Sequence, residues 1–446
     1  MRTPKHPHIL VVGGGYVGMT AALRLQRKLK RNEAKITVID PNSFMTYQPF
    51  LPEAAAGSLQ PWHVVVPLRR TLKGATVIAG EVTAVSHANR VATVQPREGS
   101  ETQIPYDVLV VAVGGVSRTL PIPGLVDHAV GFKTVGEALF LRNHVLNMLD
   151  AAASTSDRMV RRCALTFVVV GGGYAGIEAL AEMEDMARDA LKYYPRLSVV
   201  DMRWVCVEAA DRILPEVGED LGHYTQHQLS RRGIDVRLNT RVESMVDGMV
   251  ELSDGDRFPA DTIVWTAGVR PHPVLESTDL PLDERRRVRC GPDLSIEGAP
   301  NAWSAGDCAR VPDLSSDDPE ATCAPSAQHA VRQARVLADN VLASVRGEPT
   351  RAYRHKNLGS VASLGLYKGV AQLPGVKVRG FPAWFMHRTY HLGAMPTFNR
   401  KVRIVADWTL ALFLSREVVP LGEPAAPKVD PLSARKSTTS TTTLSR

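Results

Sequence analysis

Three glycines, Gly13, Gly15 and Gly18, follow the apolar run Ile9-Leu-Val-Val12, and Gly171, Gly173 and Gly176 follow Val168-Val-Val170 at the same spacing. A short run of this kind reads as a buried strand, and a Gly-x-Gly-x-x-Gly turn opening a helix makes a pyrophosphate cradle. The first glycine permits the tight turn, the second lets backbone approach the phosphates, and the third lets helix and strand pack closely. The helix N-terminus adds unpaired N–H groups and a partial positive charge. One such motif is a weak signal. Two near-copies, Gly13-Gly-Gly-Tyr-Val-Gly18 and Gly171-Gly-Gly-Tyr-Ala-Gly176, imply two bound dinucleotides.

Each copy is followed by a strand that ends on an acid. Asp40 closes Lys35–Ile39, 22 residues after Gly18, and can accept from both hydroxyls of an adenosine ribose. Its alternative is a solvated Asp opening the Asp-Pro-Asn turn. Glu208 closes Met202–Val207, 32 residues after Gly176, across an extended connection at 192–200. An acid there repels a 2′-phosphate and favours NADH over NADPH, although Arg212, four residues on, could blunt the preference.

Other segments suit a flat aromatic cofactor. The apolar stretch 42–59 is too Pro-broken for one strand, and a loop carrying Tyr47, Gln48, Pro49 and Phe50 could lie along an isoalloxazine ring or simply pack. Buried strands closing on small residues appear at Tyr106–Val113, before Gly114, and at Trp265–Val269, with Gly268. A strand ending at Gly306 places Asp307 to accept from a ribityl chain or to hold a water at the pyrophosphate. The helix expected over 325–340 carries Gln328 and Arg332, and its N-terminus could stabilise negative charge on a reduced ring.

The chain that positions these residues has 446 of them, enough for two or three domains. A 44% hydrophobic and 22% charged composition is that of a globular protein. The net charge of +7 is compatible with nucleic acid, but no nucleic-acid motif accompanies it; an anionic membrane surface fits it as well. Five cysteines, Cys163, Cys206, Cys290, Cys308 and Cys323, form no Cys-x-x-Cys pair and no metal spacing, so no metal is expected. The start of the chain runs straight into the first strand without a secretory segment, pointing to a reducing cytoplasm. No apolar run approaches the roughly 18 residues of a membrane span.

The periodicity predicts α/β architecture: helices at 19–30, 134–151 and 177–194, a polar linker at 152–161, and short strands at 358–364, 370–373 and 376–378. Two Rossmann-like dinucleotide-binding domains follow, the first discontinuous and the second inserted into it, with a C-terminal membrane-associating segment. The expected boundaries are 1–160 and 276–350 for the first domain, 161–275 for the second, 351–422 for the C-terminal strands and amphipathic helix, and 423–446 for a disordered tail. In 381–419, aromatics mix with His387, Arg388, His391, Arg400, Lys401, Arg403 and Arg416. Over 401–418, Ile404, Trp408, Ala411 and Leu412 share a helical face, the pattern of an interfacial helix or of one docked on its own domain or on a second subunit. A homodimer stays open.

Together these motifs resemble the type II NADH dehydrogenases, single-subunit FAD-containing NADH:quinone oxidoreductases. The resemblance runs from about residue 8 to 420 and rests on the two glycine motifs, Gln48-Pro49, Glu178, Thr266-Ala-Gly-Val269, Ala305-Gly-Asp307 and Ala327-Gln328. It implies FAD in the first domain, NADH in the second, a quinone as electron acceptor, no proton pumping, and C-terminal helices on the cytoplasmic face of the membrane as a peripheral attachment. It places Glu178 near nicotinamide and flavin and Gln328 at the quinone end. Where the family often has a second Gln, this chain has Arg332, which could donate to a quinone carbonyl or close the tunnel. Three other readings stay open: a sulfide:quinone reductase, which needs cysteines beside the flavin; a disulfide reductase, whose Cys-x4-Cys pair is absent; and a membrane-associated NADH-sensing flavoprotein without turnover.

Overall fold

Two parallel sheets organise the computed structural model, which describes residues 6–355, 359–422 and 427. The described residues form two compact units. One gathers residues 6–46, 66–116 and 269–355, the other residues 47–65, 117–268 and 359–422.

In the first unit a seven-stranded sheet runs Ala302–Ser304, Val108–Val111, His8–Val12, Lys35–Asp40, Thr76–Ser86, Val91–Pro96, Thr102–Pro105. The first five strands are parallel and the last two are added antiparallel. The fully buried Ile9, Leu10 and Val11 belong to a central strand covered on both faces, which is why their sequence does not alternate. The helix Tyr16–Lys28 packs on the helix Ala327–Arg346, and Arg24 and Lys28 grip Asp339 at 2.7 Å.

The second unit has a five-stranded parallel sheet, Ala129–Gly131, Thr262–Trp265, Thr166–Val170, Arg203–Val207, Ile234–Arg237. Val168, Val205, Phe258, Ile263 and Trp265 share its core. An antiparallel three-stranded sheet follows later in the chain, Ser360–Ser363, Gly369–Leu373 and Val376–Arg379. Helices Phe381–Ala394 and Phe398–Leu410 close the unit.

The α/β class and the two parallel sheets are as the sequence indicates. Several local readings differ. Both fingerprint helices begin a turn earlier than expected, at Tyr16 and Tyr174, because Gly15 and Gly173 take extended backbone and act as N-caps. The stretch read as a linker at 152–161 is instead the end of helix Val135–Ser154 and the start of helix Arg158–Ala164, whose N-terminus is capped by the Asp157 carboxylate. The Pro-rich loop is a 3-10 turn, Gln48–Phe50, running into helix Leu51–Ala55. Pro49 and Pro52 each lie in a first turn, where a missing N–H costs nothing. The helix expected over 401–418 is Phe398–Leu410 and stops in a turn at 411–413. Leu358 and the tail at 423–446, save Pro427, lie outside the described residues.

Candidate functional site

In the first cradle, Gly13 has φ +102°, and a Cβ there would stand 2.3 Å from the Ala112 carbonyl. A Cβ on Gly18 would stand 1.8 Å from the Gly13 carbonyl, so helix and strand touch where only glycine fits. The second cradle repeats this: Gly171 has φ +113°, and a Cβ on Gly176 would meet the Gly171 carbonyl at 1.9 Å. The middle glycines behave oppositely. A Cβ at Gly15 or Gly173 meets nothing within 4 Å, and neither helix has a side-chain cap or an acid in its first turn. Each helix N-terminus therefore faces open space suited to a dinucleotide pyrophosphate.

The two acids are held alike. Asp40 accepts from the Gly14 and Asn42 N–H groups, both at 2.7 Å. Burial raises its pKa, and those two hydrogen bonds offset only part of the rise. Glu208 accepts from Gly172 N–H and, at 2.8 Å, from Ala210 N–H. Each carboxylate thus ties its strand tip to the glycine loop while keeping lone pairs for ribose hydroxyls. The Arg212 guanidinium donates to the Pro215 carbonyl at 2.9 Å.

Gly114 has φ +64° and open space beside it, and Gly268, at φ +84°, accepts from Arg118 N–H. Asp307 sits in the 3-10 turn Gly306–Cys308. Gln333, 1% exposed, accepts the Gly306 N–H at 2.8 Å and so fixes that turn. Gln48 is exposed and donates to the Lys133 carbonyl, with Pro49 beside it. Gln328 opens the helix Ala327–Arg346 with its Oε1 3.1 Å from His355 Nε2. Arg332 folds back along the same helix and donates to the Gln328 carbonyl at 3.2 Å.

Glu178 is the reverse of a surface residue. It is 6% exposed, accepts from Ser363 N–H at 2.9 Å, and has His387 Nε2 3.0 Å from its Oε1, at an angle too poor for a hydrogen bond. Burial pushes Glu178 up to about 8. Around it stand groups that sequence reasoning missed. Glu53, 2% exposed, receives Arg388 Nη2 at 3.0 Å and Trp408 Nε1 at 2.8 Å. The Arg388 guanidinium lies 4.2 Å from the Trp384 ring centre and 4.7 Å from that of Trp408, a cation held between two indoles. Glu182, also buried, takes the Ser363 hydroxyl at 3.2 Å. Glu182 was findable, one helical turn after Glu178. Likewise His387 and His391 are spaced i, i+4. Nothing in the sequence marks Glu53.

This clamp also fixes one side of the amphipathic helix, for which docking on its own domain is one of the readings. Ile404 is fully buried and Trp408 turns inward to Glu53, so this side of the helix docks on its own unit. The exposed apolar side chains include Val402, Val405, Phe413 and Leu414 and, from the same stripe as Ile404, Leu412.

Residues 7–334 match the family described as pyridine nucleotide-disulphide oxidoreductase. The chain is 31% identical over 386 residues to a type II NADH:quinone oxidoreductase of Staphylococcus aureus, covering 85% of this chain and 93% of that protein. It is 28% identical to the Mycobacterium tuberculosis type II NADH:quinone oxidoreductase Ndh, over 93% and 89% of the two chains. In fold it is similar to NDH2 of Plasmodium falciparum, solved with NADH, with a TM-score of 0.85 at 18% identity over 93% of this chain and all of that one.

Proposed function

The chain belongs to the pyridine nucleotide-disulphide oxidoreductases, in their type II NADH:quinone oxidoreductase branch, and from that premise we propose that it carries two electrons from NADH through FAD to a quinone. The observation that carries this is the duplicated cradle, each copy with open space at Gly15 or Gly173 and an acid locked at the neighbouring strand tip. FAD, when bound, supplies hydride acceptance and electron delivery; the protein supplies binding, alignment and electrostatics.

In this reading Gly13, Gly15, Gly18 and Asp40 hold FAD, with Gly114, Asp307, Gln48 and Pro49 along it. Gly171, Gly173, Gly176, Glu208 and Gly268 hold NADH. Gln328 and Arg332 meet the quinone, and Glu178 stands at the reacting end as a carboxyl that keeps its proton at neutral pH. The buried thiols speak against sulfide chemistry. Burial pushes Cys206 up to about 12 and raises Cys308 and Cys323, whereas a nucleophilic cysteine needs a lowered pKa.

Anaerobic NADH should bleach the visible flavin absorbance of the purified protein, and a soluble quinone should restore it. Bleaching that no quinone reverses would sink the proposal and leave the sensory reading.

The membrane contact belongs, in the same proposal, to 381–419. Phe385, Phe398, Leu412 and Phe413 are exposed there beside Arg400, Lys401 and Arg403. Among the described residues no helix is long and apolar enough to cross a membrane. Because Arg388 and Trp408 pack inside the unit, the test keeps the helices. Leu412→Glu with Phe413→Glu should release the protein from anionic liposomes, and equal retention would remove the membrane contact from this surface.

A further inference from the structure

The residues assigned to NADH include an acid and no cation, although the ligand carries two phosphate charges. Within the second unit a cation stands where one would act.

The place follows from the sheet. From Thr166–Val170 the chain steps outward through Arg203–Val207 and Ile234–Arg237, then returns on the opposite side as Thr262–Trp265, all parallel. In open parallel sheets a ligand lies outside the carboxyl ends of the strands, where the strand order reverses. Here that point falls between Thr166–Val170 and Thr262–Trp265. Glu208 marks the adenosine ribose at the end of Arg203–Val207, so the nicotinamide half runs the other way, over the residues that follow Trp265.

Those residues are pinned to the cradle. Thr266 donates its N–H to the Val170 carbonyl at 2.8 Å and its hydroxyl to the same carbonyl at 2.9 Å, and that hydroxyl also reaches the Gly171 carbonyl at 3.2 Å. Two residues on, the Gly268 carbonyl accepts from Arg118 N–H at 3.2 Å. The buried Trp265 indole donates to the Arg118 carbonyl at 2.8 Å. With its backbone held on both sides, Arg118 runs its side chain across Gly268. A Cβ built on that glycine would stand 3.5 Å from both Cβ and Cδ of Arg118. Beyond Cδ the side chain is unengaged: Arg118 is exposed, and among the described residues its guanidinium has no hydrogen bond or ion pair. On the adenosine side, by contrast, Arg212 is bound to the Pro215 carbonyl and Arg237 is paired with Asp235, Asp254 and Asp256.

We propose that Arg118 makes the second cradle discriminate between the redox states of its ligand, holding NAD+ less tightly than NADH and so speeding loss of the spent cofactor. The inference rests on the reading of this cradle as the NADH site. Both forms carry the same pyrophosphate, so the attraction of Arg118 for phosphate cancels between them. They differ at the ring. Giving a hydride to FAD leaves the nicotinamide with a full positive charge, and a like charge alongside raises the free energy of that form alone. The carboxyl assigned to that end, Glu178, keeps its proton at neutral pH and brings no countercharge.

Calorimetric titration of the oxidised, FAD-loaded enzyme with NAD+ and with tetrahydro-NAD, whose uncharged ring has no hydride to give, reads the two states without turnover. Wild type should bind NAD+ the more weakly. In Arg118→Gln the ratio of the NAD+ dissociation constant to that of tetrahydro-NAD should fall by about fivefold, the order expected of unit charges several ångströms apart near solvent. Arg118→Lys, which keeps the charge, should keep the ratio. Raising the salt concentration should shrink the wild-type ratio, because exposed charges are screened. An unchanged ratio in Arg118→Gln, an equal loss in Arg118→Lys, or a wild-type ratio indifferent to salt overturns the assignment. A wild type that binds neither ligand overturns the NADH reading along with it.

Discussion

In the two cradles the working atoms are backbone N–H and C=O groups, brought together within one strand–turn–helix–strand stretch, Gly13–Asp40 or Gly171–Glu208. In the cluster around Glu178 they are side chains drawn from distant parts of the chain, Glu53, Glu182, Ser363, His387, Arg388 and Trp408. The first kind of site depends on the absence of side chains at fixed spacing, so its sequence pattern is rigid and short. The second depends on burial, so each member's pKa belongs to the assembly and not to any segment.

The strongest way to break this comparison is at the helix–strand contacts. Gly18→Val adds bulk where even a Cβ would stand 1.8 Å from the Gly13 carbonyl, and should abolish flavin retention, read as visible absorbance per mole of protein. Gly176→Val, with its Cβ 1.9 Å from the Gly171 carbonyl, should spare the flavin and abolish its reduction by NADH. If both variants lose flavin alike, the two cradles are not separate sites.

Next in size is Glu53→Gln, which leaves the Arg388 cation in its indole sandwich without its carboxylate. Stranding a buried charge costs about 3–5 kcal/mol, so thermal unfolding should shift down by several degrees. An unchanged Tm would mean that the cluster does not hold the C-terminal helices in place.

A smaller effect follows from Glu178. Its folded-state pKa of about 8 lies above the ordinary 4.5, so between those values the folded protein binds more protons than the unfolded chain. Stability should therefore fall, by a few kcal/mol at most, as pH rises through that window. Glu178→Gln should flatten this part of the pH–stability curve; an identical slope would show that Glu178 ionises normally.

The smallest change is expected at Glu208. Glu208→Ala should weaken NADH by roughly tenfold, about 1.4 kcal/mol, and narrow its margin over NADPH. An unaltered preference would show that the ribose is held elsewhere.

The same contrast explains what could be read from the sequence. The cradles, their strands and both acids were legible because local spacing alone dictates them; even the longer interval to Glu208 did not hide it. The start of each helix was misplaced because Gly15 and Gly173 cap from extended backbone, a geometry that a glycine pattern does not announce. The end of the last helix was misplaced because the apolar run continues through Leu412–Leu414 after the helix has turned at 411–413. Glu178 entered only through family resemblance. Its neighbours stayed hidden because Glu53 and Trp408, 355 residues apart, meet only after folding. Trp408 lies on a stripe that fits either a membrane interface or docking, and it donates inward. An amphipathic pattern says which face is apolar, not what covers it.

The division of labour between cradles and cluster is tested most directly by single-turnover absorbance on Glu178→Gln. Glutamine keeps the oxygen that accepts from Ser363 N–H and removes the proton that can be passed on. The predicted result is flavin reduction by NADH at close to the wild-type rate, with reoxidation by a soluble quinone slowed by about 100-fold. Reoxidation at the wild-type rate, or an equal loss in both halves of the reaction, would contradict it.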